Sequence, residues 1–103
     1  MKILIICAAG MSSSLIVEKM KKLAPEGTVI EYSVGMNTIN DLTGYDVLLV
    51  GPQLRYKKDQ IKIMAEKAQI PYAFIDMVQY GRAMAEEIYA QAVELYKEKE
   101  KKA

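Results

Sequence analysis

Four short apolar runs, Ile3–Ile6, Thr28–Ser33, Val47–Val50 and Tyr72–Ile75, alternate along this chain with stretches of helical periodicity. That order leaves few possible folds. Strands separated by helices and short connections form right-handed crossovers, and these build a parallel sheet. The first and third runs carry no polar alternation, which predicts strands covered on both faces. The second run, Thr28-Val29-Ile30-Glu31-Tyr32-Ser33, alternates in part and reads as a sheet edge. At 103 residues the chain is long enough for one core, so residues 1–103 are read as one domain.

Helices are expected between the runs. Ser12 or Ser13 can cap a first helix that carries Ile16, Met20 and Leu23 on its buried face and stops at Pro25 and Gly27. A second runs from about Tyr56 to Ala68 and buries Ile61, Met64, Ala65 and Ala68. A third runs from about Val78 into the lysine-rich tail, with Met84, Ile88, Ala92 and Leu95 at helical spacing. Between Val34 and Tyr45 the pattern is weaker, and Ile39 and Leu42 can seat one turn of helix. The expected fold class is α/β: a small four-stranded parallel sheet in the order 2-1-3-4 with helices on both faces, flavodoxin-like and phosphatase-loop-like. In that order the loops leaving the first and third strands diverge at their carboxyl ends and open a crevice. The first loop follows Cys7, the third is Gly51-Pro52-Gln53, and the fourth strand ends beside them at Asp76.

Composition removes several functions. The net charge is +1 with no basic cluster, which argues against nucleic acid, where several clustered cations must neutralise phosphates. No apolar stretch approaches the roughly 20 residues that a membrane span needs. The amino terminus does not read as a signal peptide, and one cysteine forms no internal disulfide, so the expected compartment is the reducing cytoplasm. Histidine is absent, which removes Cys-His and Ser-His-Asp nucleophiles, most zinc sites and any phosphohistidine carrier. No metal and no cofactor is required.

Cys7 is therefore the natural nucleophile. It closes the first run and opens the small-residue segment Ala8-Ala9-Gly10-Met11-Ser12-Ser13-Ser14. Such a loop turns backbone N–H groups inward, and the helix that follows adds partial positive charge, worth about 0.3–2 kcal/mol to an anion. A lone cysteine is also a common buried hydrophobe, and a serine before a helix is an ordinary cap. The triple serine beside a thiol offers more donors than a cap needs. Met11 suits either a docking contact or packing. Gln53 can donate to a phosphate rim, and Arg55 can meet an anionic partner. Asp76 reads as a helix cap at least as well as an acid, and Tyr80 can pack at the sheet edge or face the site.

Three chemistries share this frame. A cysteine phosphatase carries a clamping arginine in its loop, and here that position is Ser13. Flavin binding calls for aromatic walls, and no tryptophan is present. A phosphocysteine held on backbone donors without an arginine is a poor hydrolase and a good carrier. A non-catalytic anion-binding module of the same fold stays open beside the phosphatase.

Taken together, Cys7 through Leu15, Gly51-Pro52-Gln53 and Asp76 through Tyr80-Gly81 resemble enzyme IIB of the sugar phosphotransferase system, lactose, cellobiose and diacetylchitobiose class. The likeness spans essentially the whole chain, and its first motif is the most specific. It implies that a phosphohistidine of a soluble enzyme IIA gives its phosphoryl group to Cys7, and that a sugar bound by the membrane enzyme IIC takes it during uptake. It also implies that Ala8 to Ser14 bind the phosphoryl group and that Tyr80 lines the site. Ala8 stands where that family often has serine, which removes one hydroxyl donor.

Overall fold

A computed structural model describes residues 1–7, 10–34, 42 and 44–102, with the side chains of 10–14, 34 and 100–102 outside that description. The elements are β1 (Lys2–Cys7), α1 (Gly10–Leu23), β2 (Val29–Val34), β3 (Val47–Val50), a 3₁₀ segment (Pro52–Lys57), α2 (Lys58–Ala68), β4 (Tyr72–Phe74), α3 (Met77–Gly81) and α4 (Ala85–Lys102). The four strands form one parallel sheet in the order β2-β1-β3-β4, as expected.

β1 is hydrogen-bonded on both sides. It runs beside β2 from the Lys2–Val29 pair to Cys7–Val34, and beside β3 from Ile3–Val47 to Ile6–Val50. Its period of two then sorts the core. Ile3, Ile5 and Cys7 face one way, with Val47 and Leu49, onto Ile16, Val17 and Met20 of α1 and Ile88 and Ala92 of α4. Leu4 and Ile6 face the other way, with Leu48 and Val50, onto Leu54 of the 3₁₀ segment and Ile61 and Ala65 of α2. Both faces of the two inner strands are covered, which is why their sequences are apolar without interruption. At its amino end β1 is tied down where the Lys2 backbone N–H donates to Asp46 Oδ2 at 2.8 Å.

Four details differ from the sequence reading. α1 begins at Gly10, so Ser12 and Ser13 stand inside its first turn rather than at its cap. Leu23 closes that helix half-exposed instead of buried, and Val17 takes its place in the core. The expected helix from Tyr56 starts as a 3₁₀ turn at Pro52, kinks at Leu54 (φ −102°, ψ 16°), and becomes α-helical only from Lys58. The expected last helix is two, broken at Arg82 to Met84, where Ala83 takes a left-handed φ of 51°. Ile39 lies outside the described residues, while Leu42 is buried under the β3 face.

α2 tests which face is core. Ile61 is wholly buried and Ile63, two positions on, is 64% exposed. Ile61→Ala is expected to lower unfolding free energy by about 2–5 kcal/mol in urea denaturation, because it empties packed volume. Ile63→Ala should change it by less than about 0.5 kcal/mol.

Candidate functional site

The carboxyl ends of β1, β3 and β4 lie side by side, and each hands the chain to a helical segment. Cys7 is the last residue of β1, and α1 starts at Gly10, so the sulfur stands at the amino end of a 14-residue helix. The first N–H groups of any helix lack intrahelical partners and attract anions. Ala8 and Ala9, which join the two elements, lie outside the described residues, as do the side chains of Met11, Ser12, Ser13 and Ser14. Backbone of Gly10 to Ser14 is helical.

What the sequence does not predict is the depth of the thiol. Cys7 is 0% exposed and belongs to the α1–α4 core cluster. Strand parity puts it there, since it continues the inward row of Ile3 and Ile5. Its S–H donates to the carbonyl of Ser33 on β2, a long contact at 3.8 Å. That partner is a backbone group, so no residue type could have signalled it.

Gly51 is the next rung beside Cys7, following Ile3–Val47 and Ile5–Leu49. Its N–H donates to the Ile6 carbonyl at 2.7 Å and prolongs the ladder past the end of β3. A Cβ placed on Gly51 would come within 3.3 Å of Cys7 Cβ and 2.9 Å of Gln53 Oε1. Close approach therefore favours glycine here: a Cβ would press on Cys7, while the folded-back Gln53 side chain on the other side can swing away. Gln53 is exposed overall, and its amide oxygen ends over the Gly51 backbone. These three residues the structure does bring together.

Asp76 and Tyr80 have different stations. Asp76 caps α3, its Oδ2 accepting from the N–H groups of Val78 at 3.0 Å and Gln79 at 3.1 Å. The carboxylate is exposed and borders a groove with Arg55, Phe74 and Gln79. Tyr80 is buried in the same core cluster as Cys7, Ile75 and Ile88, so packing, one of its two expected stations, is occupied. Sequence reasoning missed Met77 and Val78, which are 69% and 57% exposed. Their signal was available: two apolar residues directly after a capping aspartate, in the first turn of a helix too short to bury both.

Comparison with known proteins bears on what this frame is for. Residues 2–91 match the family model of the lactose/cellobiose-specific IIB subunit of the phosphotransferase system. The chain is 38% identical over 97 residues to the oligo-beta-mannoside-specific EIIB component of Bacillus subtilis, covering 91% of this chain and 94% of that protein. It is 38% identical over 98 residues to the galactose-specific EIIB component of Lactococcus lactis subsp. cremoris, covering 86% and 90%. Among solved structures, the cellobiose-specific phosphotransferase IIB component of Borrelia burgdorferi superposes with a TM-score of 0.76 at 28% identity, covering 96% of this chain and 94% of that one. The lactose-specific IIB domain of Streptococcus pneumoniae shares the fold at a TM-score of 0.75 and 18% identity, covering 93% and 97%.

The cap assigns Asp76 a structural task that can be separated from acid chemistry. Asp76→Asn keeps an acceptor oxygen for both N–H groups and should stay within a few tenths of a kcal/mol of the parent chain. Asp76→Ala should lose about 0.5–2 kcal/mol, read from chemical denaturation curves of the three proteins.

Proposed function

Because the chain belongs to the lactose/cellobiose-specific IIB subunits of the phosphotransferase system, a phosphotransferase component of sugar transport, we propose that it works as a phosphocarrier through Cys7. Residues 1–103 act as one carrier unit. In this reading the thiol proton leaves to solvent and the thiolate attacks the phosphorus of a phosphohistidine on enzyme IIA. The S–P bond forms as the N–P bond breaks, and the electron pair returns to the imidazole nitrogen. A hydroxyl of the sugar held by membrane enzyme IIC then attacks the same phosphorus: the O–P bond forms as the S–P bond breaks, the electron pair returns to sulfur, and the hydroxyl proton passes to the departing thiolate or to solvent. Oligo-β-mannoside, galactose and cellobiose head the names of the relatives, so the sugar is of the β-linked or galactosyl class, with its identity set by the membrane partner.

The observation that carries the proposal is the placement of the only cysteine directly before the amino end of α1. A phosphoryl group on sulfur is a dianion, and helix N–H groups hold such charge without a metal. Ala8, Ala9, Gly10, Met11, Ser12, Ser13 and Ser14 would form its cradle, with the Gln53 amide at the rim beside Gly51. Tyr80 supports the floor from the shared core cluster, and Asp76 holds α3 in place. Burial of the sulfur adds a requirement: the cover over Cys7 must move before phosphorus can reach it in line.

Partners must approach from the carboxyl end of the sheet. Leu15 on α1, Tyr56 on the 3₁₀ segment, and Met77 and Val78 on α3 are all apolar and exposed on segments leaving that end. Scattered exposed apolar residues are ordinary, but these occupy elements that ring the site. Among the described residues no helix is long and apolar enough to cross a membrane, so in this reading IIC supplies the membrane passage.

Incubation with phosphorylated enzyme IIA should raise the intact mass by one phosphoryl group, about 80 Da. Cys7→Ser should show no such gain, and labelling that persists on another residue would refute the assignment. Neither protein should turn over an aryl phosphate, which a cysteine phosphatase would do. Met77→Lys combined with Val78→Lys should leave the fold intact and slow labelling by about ten-fold or more, through a weaker encounter measured as a raised half-saturating IIA concentration.

A further inference from the structure

β4 is the outer strand of the sheet. Its pairing with β3 uses the Pro71 carbonyl, which accepts from Leu48 N–H at 3.0 Å, and the Ile75 N–H, which donates to Val50 at 2.8 Å. Alternate residues of a strand point their backbone groups to opposite sides, so those of Tyr72 and Phe74 face away from β3. Among the described residues no strand pairs with that side. One side chain reaches it: Gln91 Nε2 donates to the Phe74 carbonyl at 3.4 Å, where a neighbouring strand's N–H would bond. The other end of that amide, Gln91 Oε1, is buried with no hydrogen-bond partner among the described residues. Buried acceptors are normally satisfied; this one has no exposed surface, so a donor from outside meets it only when the Gln91 amide swings off the Phe74 carbonyl.

Gln91 stands in a stripe on α4. Glu87, Gln91, Glu94 and Glu98 recur at three- and four-residue spacing and so share one helix face. Two grooves place that face along β4. The one at the carboxyl end is lined by Phe74, Asp76, Glu87, Gln91 and Glu94. The one at the amino end is lined by Pro71, Glu66 and Glu98. The helix therefore runs antiparallel to the strand with its carboxylates beside that outer edge. Two cations also border the grooves, Arg55 and Lys99, and Lys99 is already paired with Asp46 at 3.3 Å. The balance along the edge is acidic.

We propose that the outer side of β4 is a docking edge for an extended, basic segment of a partner protein, which adds to the sheet as a further strand. The incoming chain displaces the Gln91 amide from the Phe74 carbonyl, bonds the backbone groups of Tyr72 and Phe74, and meets the freed amide with one of its own N–H groups. Lysine or arginine at alternate positions of that segment faces the α4 carboxylates, because strand side chains alternate between faces. Charge selects this occupant. A second copy of the same edge would bring two acidic stripes together, at a cost in like-charge repulsion. The proposal does not use Cys7, and it stands or falls apart from the carrier reading.

The test is titration of the ¹⁵N-labelled protein with a short blocked peptide alternating lysine and threonine. Shifts should concentrate on the Tyr72 and Phe74 amides and the Gln91 side-chain amide. Raising the salt or introducing Glu87→Lys with Glu94→Lys should weaken binding by about ten-fold or more. The same peptide N-methylated at alternate amides, which keeps its charge and loses its strand donors, should not bind. Equal binding of the methylated peptide, shifts centred elsewhere, or sedimentation showing that the edge is closed by a second copy would each overturn the proposal.

Discussion

β1 is bonded to a neighbour along both of its sides, and its alternating side chains must therefore fill both halves of the core. The position of nearly every other element follows from this. α1 and α4 cover the face set by Ile3 and Ile5, while the 3₁₀ segment and α2 cover the face set by Leu4 and Ile6. The same alternation fixes Cys7. As the last residue on the Ile3 and Ile5 side, it must point into the core between sheet and helices.

That placement sets two demands against each other. A sulfur at the amino end of α1 is well sited to hold an anion. A sulfur packed in the interior, its S–H directed at the Ser33 carbonyl, is shielded from any partner. In the proposed carrier reading the sulfur is reached by donor and acceptor in turn and is closed off as the free thiol. Gly51 fits this reading: with no side chain of its own it leaves Cys7 a neighbour that is backbone alone, with the Gln53 amide oxygen beside it.

The legibility of the chain varied with the range of the interaction involved. β1 and β3 were readable because an unbroken apolar run has few homes outside a strand covered twice, and the order of elements then limited the sheet to few arrangements. The start of α1 was not readable, since Gly10 rather than a serine enters the helix and serines are tolerated in a first turn. The break before α4 was missed for a similar reason: Ala83 takes a left-handed conformation that its side chain disfavours, and only surrounding contacts hold it there. The capping of α3 by Asp76 could be foreseen from local spacing, and the carboxylate does accept from the two N–H groups that such a cap serves. Tyr80 could not be assigned from sequence, because whether a helical tyrosine meets core or crevice depends on how a five-residue helix is tilted. The acidic stripe of α4 was visible as spacing in the sequence. Its meaning was not, because nothing local says which strand lies beside it.

Sequence alone determined the α/β class, the strand order, the single candidate nucleophile and its station between a strand and a helix. These depend on periodicity, chain order and the absence of histidine, all of which are one-dimensional properties. Tertiary structure decided that the thiol is buried, that a backbone carbonyl of another strand accepts its hydrogen bond, that Gly51 is its neighbour, and that an acidic helix face borders the outer edge of β4. Each of these joins residues far apart in the chain, and such distances are set only when the sheet closes and its helices pack.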